Sequence, residues 1–311
     1  MSRILGTATA LVGIAVLALS AAPATAATLP VTDTVYILPC DDLEFNGILY
    51  TMDTTTGVAT QVGSWVNPDT DVFSCAGPGA YNPVNGKGYW ISWGAVDNLI
   101  EVDLATGVNT LIAEFTLSGL PYSGPVSLAI DSAGNAWAAS YEFGFDMLFS
   151  VNLATAELTE VGPTGVIPSS ESYGLAWDSV TDTVYGYNVS NQDFYEVNTA
   201  TGAFTLFNDD VFGANTPYAI AFDSAGQVWG VDQDIISAPL ADLDNFEELV
   251  VINERPVFGG TIYSESIIIA PAAAPVLAAT GSDNSSAGIL AGAGALLVVA
   301  GIVIARRRKT A

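Results

Sequence analysis

Carboxylates are the groups in this chain best able to do chemistry. The sequence holds 33 Asp and Glu against seven Lys and Arg, and no His. Without His, neither a Ser-His-Asp nor a Cys-His nucleophile can be assembled, and no His-ligated zinc site can form. Three uses of acids remain. They can hydrogen-bond hydroxyls or basic groups beside aromatic stacking surfaces. They can ligate Ca²⁺, which takes about six to eight oxygens. They can also work as a pair in glycoside hydrolysis. The candidates fall in clusters between apolar runs: Asp41, Asp42 and Glu44; Asp69 and Asp71; Asp97; Glu142 and Asp146; Asp193; Asp209 and Asp210; Asp232 and Asp234. Trp65, Trp93 and Tyr141 stand in or beside the same segments. A binding surface for an extracellular glycan or protein is the first reading. A Ca-binding structural wall protein is the alternative, although no Asp-x-Asp-x-Asp-Gly loop occurs. A carboxylate-dependent hydrolase comes last, because no acid is marked by an apolar pocket that would raise its pKa. No catalytic residue is assigned and no cofactor is expected beyond a Ca²⁺ ion.

The elements that must position these acids are read from two interleaved repeats. One runs Leu49-Tyr50-Thr51-Met52-Asp53-Thr54-Thr55-Thr56-Gly57 and returns with its acid or amide at Asp103, Asn152 and Asn198. Those anchors are 50, 49 and 46 residues apart. Each copy is a strand, an Asx-started turn and a second strand, with Gly at the turn's end in three of the four. The other repeat runs Leu128-Ala129-Ile130-Asp131-Ser132-Ala133-Gly134 and recurs at Leu175–Ser179 and Ile220–Gly226, with a looser copy at Tyr81–Gly86. These are hairpins too, so each unit has four strands, a to d. A repeated antiparallel unit of this length predicts an all-β, five-bladed propeller over residues 27–270. The first blade is split. Strands b, c and d come from Thr34–Leu38, Gly47–Asp53 and Ala59–Trp65, and strand a from Ser266–Ala270 at the other end of the domain. That pairing closes the ring and removes an exposed edge. Six blades remain open if Asn253–Ile262 holds further structure.

Alternating strand direction sorts the connections. The regular a-b and c-d turns share one face, where their acids cap turns. The irregular b-c and d-a loops share the other, and all the clustered candidates above fall there. Cys40 and Cys75 fall on that loop face in neighbouring blades, so a disulfide is expected. A closed loop of about 35 residues would stabilise by roughly 3–4 kcal/mol on the chain-entropy account.

The two ends of the chain speak to location. Residues 1–26 read as a secretory signal peptide, with Arg3, an apolar Ile4–Leu19 and Ala24-Thr25-Ala26 before the cut. Residues 287–305 form an uncharged apolar span followed by Arg306, Arg307, Arg308 and Lys309, a basic tail over 306–311. Leu277-Ala278-Ala279-Thr280-Gly281 precedes the span, within a linker over 271–286. Pentapeptide, span and basic tail in that order resemble the sortase sorting signal of Gram-positive surface proteins, in the Leu-Ala-any-Thr-Gly form of high-GC actinobacteria. The resemblance implies cleavage between Thr280 and Gly281 by sortase, transfer to peptidoglycan, and membrane anchoring through 287–305 beforehand. Between the two ends, Lys87 and Arg255 face 32 acids, a net charge near −30. Such a field repels nucleic acid. The repeats resemble those of YncE-like and other bacterial surface propellers over roughly Thr34–Ala270, a generic likeness that implies a fold and no active site.

Overall fold

In the computed structural model, residues 33–40, 48–54, 56, 58–62, 75–93, 96–140, 146–166, 173–213, 217–231, 234–243, 245–251 and 263–271 are described. The signal peptide, the linker beyond Pro271 with its sorting pentapeptide, the apolar span, the basic tail and Asn253–Ile262 of the six-blade alternative lie outside these residues. The described residues form five sheets. Blade 1 holds β1 (Asp33–Cys40), β2 (Tyr50–Met52), β3 (Ala59–Gln61) and, from the far end of the domain, β22 (Tyr263–Pro271). Blade 2 is β4 (Cys75–Asn82), β5 (Lys87–Trp93), β6 (Asn98–Val102) and β7 (Asn109–Glu114). Blade 3 is β10 (Ala129–Ile130), β11 (Ala136–Ser140), β12 (Met147–Val151) and β13 (Glu157–Pro163), with β8 (Thr116–Leu117) and β9 (Leu120–Pro121) added outside β13. Blade 4 is β14 (Tyr173–Asp178), β15 (Thr183–Asn188), β16 (Asp193–Val197) and β17 (Phe204–Asn208). Blade 5 is β18 (Ala219–Phe222), β19 (Gln227–Val231), β20 (Asp234–Pro239) and β21 (Glu247–Val251).

The split blade closes as its two apolar ends predict. β22 runs antiparallel to β1 from Asp33↔Pro271 to Cys40↔Tyr263, with one irregularity between Ile37 and Pro39. Alternation along β22 then serves two blade interfaces at once. Ile267 and Ile269 enter the core between blades 5 and 1, with Val35, Trp229 and Val231. Ile268 and Ala270 enter the core between blades 1 and 2, with Leu38, Trp90 and Val102. Three further clusters fill the 2–3, 3–4 and 4–5 interfaces. Each blade thus buries both faces only against its neighbours.

Blade 3 departs from the expected four antiparallel strands. Between β7 and β10 the chain turns at Ser118 (φ 53°) and Gly119 (φ 77°), which makes the hairpin β8–β9. Two successive positive φ values suit the right-handed twist of a tight hairpin. β8 then pairs parallel with β13, and Thr116 N–H also donates to Ala156 C=O at 3.2 Å.

The turns carry the hydrogen bonds that the repeats imply. The side-chain oxygens of Asp53, Asp103, Asn152 and Asn198 accept amides two or three residues on, all near 3.0 Å. At the end of each of the last three turns the backbone goes left-handed: Gly107 at 71°, Ala156 at 56° and Gly202 at 83°. Gly202 has a second reason to lack a side chain. A Cβ there would stand 2.3 Å from the carbonyl oxygen of Gly162, on β13 of the preceding blade. Gly86 is also left-handed, at 72°, but nothing lies within 4 Å of its Cβ position. We expect Gly86→Ala to cost about 1 kcal/mol, from φ alone, and Gly202→Ala about 2–4 kcal/mol, because the two blades must also separate. Urea unfolding of the two variants checks this. Equal losses would show that the close blade contact carries no energy.

Candidate functional site

Backbone hydrogen bonds tie the b-c and d-a loops together at one end of the ring, blade by blade. Phe115 N–H donates to Asp97 C=O, Thr164 N–H to Asp146 C=O, and Val211 N–H to Gln192 C=O, at 2.8–3.0 Å. The opposite end collects the a-b and c-d turns, where Lys87 at the start of β5 pairs with Asp103. Lys87 holds that carboxyl below its ordinary range.

Several loop-face candidates turn out to hold the fold together. Asp97 is buried and accepts the Gly124 amide at 2.8 Å, which fixes the approach to β10. Asp193 accepts the Tyr195 hydroxyl at 2.8 Å and the Asp210 amide at 3.4 Å. Trp93 is half-buried, and its indole N–H reaches Pro125 C=O at 3.4 Å. A Cβ on Gly77 would touch the Trp93 ring at 2.7 Å, so these two residues pack face to face. Asp209 and Asp210 are exposed and free to meet a partner. Asp234 opens β20, but its side chain lies outside the described residues, as do Asp41, Asp42, Glu44, Trp65, Asp69, Asp71, Tyr141, Glu142 and Asp232. Cys40 ends β1 and Cys75 begins β4, both at the loop end of adjacent blades, with their sulfur atoms likewise outside. Among the described residues, no group of three or more His, Cys, Asp or Glu could hold a metal ion.

Asp146 is the unusual acid of this face. It is half-buried, one carboxylate oxygen is buried with no hydrogen-bond partner, and burial raises its pKa. Burial is the cause of that shift, with no contribution from a neighbouring acid.

The concavity lies elsewhere. A cavity of about 200 Å³ runs down the ring axis and is lined only by the inner strands and the turn-face ends. Its walls are three stacked rings, one residue per blade. The deepest is Gly79, Leu128, Leu175, Ile220 and Ile267. The middle is Ala80, Ala129, Ala176, Ala221 and Ile268. The outermost is Tyr81, Ile130, Trp177, Phe222 and Ile269. Register explains the hollow. Each middle-ring residue pairs across to an aromatic on the second strand of its blade: Tyr89, Trp137, Tyr185, Trp229 and Tyr36. At this middle level bulk therefore sits on the second strand, and the first strands of blades 2 to 5 carry only a methyl group each. Asp33, Ser179, Asp223 and Ser224 stand at the mouth. The Ser224 amide donates to Asp33 at 2.8 Å and stitches blade 5 to blade 1 there. The cavity was not expected from the sequence, although the Ala repeated at 129, 176 and 221 carried its signal.

No known family profile and no curated protein matches the chain. Among solved structures, TolB from Acinetobacter baumannii aligns at 14% identity and TM-score 0.45, over 71% of this chain and 53% of its own. The chain thus spans about half the length of that protein. A nidogen/laminin complex aligns at 12% and 0.46, over 76% of this chain and 98% of that one. A Bacteroides thetaiotaomicron protein of unknown function aligns at 14% and 0.45, over 70% and 65% respectively.

The isolated acid gives a signed pH effect. A carboxyl whose pKa is raised by folding penalises the native state at pH above that raised value, and the penalty vanishes below its ordinary value near 3.8. Asp146→Asn should therefore raise the melting temperature by roughly 1–4 °C at pH 7 and leave it unchanged near pH 3. Melting curves of both proteins across that range check this. A gain that persists at low pH would contradict the assignment to burial.

Proposed function

We propose that this chain is an exported, cell-wall-anchored display protein whose propeller binds an extracellular ligand through its loop face. The observation that carries the reading is charge placement. On the loop face Asp209 and Asp210 of blade 4 are exposed and Asp146 of blade 3 is half-buried, while Lys87, the one cation among the described residues, pairs with Asp103 on the opposite face. A surface of one sign attracts partners of the other and raises their encounter rate. Among the described residues, the exposed pair Asp209 and Asp210 is the part of that face best placed to meet a basic protein segment or the hydroxyls of a glycan.

Export and anchoring rest on the two chain ends, and binding rests on the ring, so they are tested separately. Thr280→Ala should leave the protein extractable from membranes by detergent, whereas the parent chain resists extraction and is released by cell-wall digestion. A mutant still bound covalently to the wall would remove sortase from the reading. A glycan and basic-peptide array probed with the parent and with Asp209→Asn/Asp210→Asn should show salt-sensitive binding that the double variant weakens about ten-fold. Binding indifferent to both salt and substitution would move the site off this face.

A further inference from the structure

The axial cavity is on the other face from the loop-face reading and stands independently of it. Its shape and chemistry specify a ligand class. The volume of about 200 Å³ exceeds the roughly 150 Å³ of an engineered apolar cavity that takes up benzene. The side chains of the two inner rings are apolar, and in the outermost ring Tyr81 and Trp177 add aromatic side chains from blades 2 and 4, while Phe222 of blade 5 lines the same level with its ring packed on Tyr185 and Phe194. Trp177 is half-buried there.

Two carboxylates stand over that ring. Asp223 is buried, and its oxygens accept the amides of Ala225 and Gln227 at 2.9 Å and the Trp229 indole N–H at 3.0 Å. Those donors are neutral, so they orient the charge without cancelling it. Asp33 sits beside it, joined through the Ser224 amide. No basic residue lines the cavity.

A neutral apolar guest would use the walls but waste the mouth. An inorganic cation would find two carboxylates and the Ser179 and Ser224 hydroxyls at the mouth, but it would leave the apolar floor unused. An organic cation uses both, because aromatic side chains and carboxylates attract the ammonium group while the cavity buries the alkyl body. We propose that the turn-face cavity binds a small organic monocation with an apolar body, of the alkylammonium class.

The probe is pentyltrimethylammonium, compared by isothermal titration with octan-1-ol, a neutral molecule with the same number of heavy atoms, on the purified full-length chain. The cation should bind at least ten-fold more tightly than the alcohol. Asp33→Asn keeps an acceptor for Ser224 but removes the charge, so it should weaken the cation at least five-fold and leave the alcohol unchanged. Ala221→Ile copies the Ile268 that blade 1 already carries in that ring, and it should abolish both. Trp177→Leu provides a check that does not depend on the filled variant folding, and it should weaken the cation selectively. Equal affinity for the two probes would overturn the proposal in favour of a plain apolar site. Cation binding that survives both Ala221→Ile and Trp177→Leu would place the ion elsewhere, as on the acidic loop face. Absence of binding by either probe would mean that the cavity takes no such guest.

Discussion

The pairing of β22 with β1 is the constraint on which the rest depends. A blade is a four-stranded sheet with two apolar faces, and it is stable only when both are covered. In a ring of five, that requirement is met for every blade or fails for two. Closure by a strand from the far end of the domain satisfies it through simple alternation. Ile267 and Ile269 complete one interface while Ile268 and Ala270 complete the next. The same pairing covers the inner edge of β1, which would otherwise present unpaired backbone groups. The amide of Ser224 on the Asp33 carboxylate fastens the seam at the turn face.

The axial cavity follows from how the strands fill the space around that axis. Five first strands converge there, and the middle of their three lining levels is the one kept small. The chain places Ala at four of those positions and sets an aromatic opposite each on the neighbouring strand. The hollow is therefore a product of register, with bulk carried outward by one strand. The chemistry of the two faces differs accordingly. The loop face offers charge on exposed connections, and the turn face offers an apolar recess with a charged mouth.

Much of this was legible in the amino-acid order, and the reasons are local. An Asp or Asn followed by a left-handed residue closes a turn by itself, so Asp103, Asn152 and Asn198 marked the hairpins without help from the fold. The run Ile267-Ile268-Ile269 needed a partner on both faces, and only an unpaired first strand could supply one. Other features depended on distant contacts. Asp97 reads as a surface acid until the Gly124 amide, 27 residues away, is brought to it. Asp193 reads the same way until Tyr195 and Asp210 close on it. The hairpin β8–β9 has two residues per strand, too short to show a period. The cavity required all five registers at once. Ala129, Ala176 and Ala221 were visible as a repeat, but nothing along the chain says that they face a common axis.

Hydrogen exchange at the closing strand tests the central claim, a single closed ring, most directly. If β22 is an integral strand, the amides of Ile267–Ala270 exchange only with unfolding of the whole ring, at the same free energy as those of β15 in the middle of blade 4. If β22 instead exchanges quickly while β15 stays protected, the ring is open at blade 1, and the cavity has lost one of its five walls.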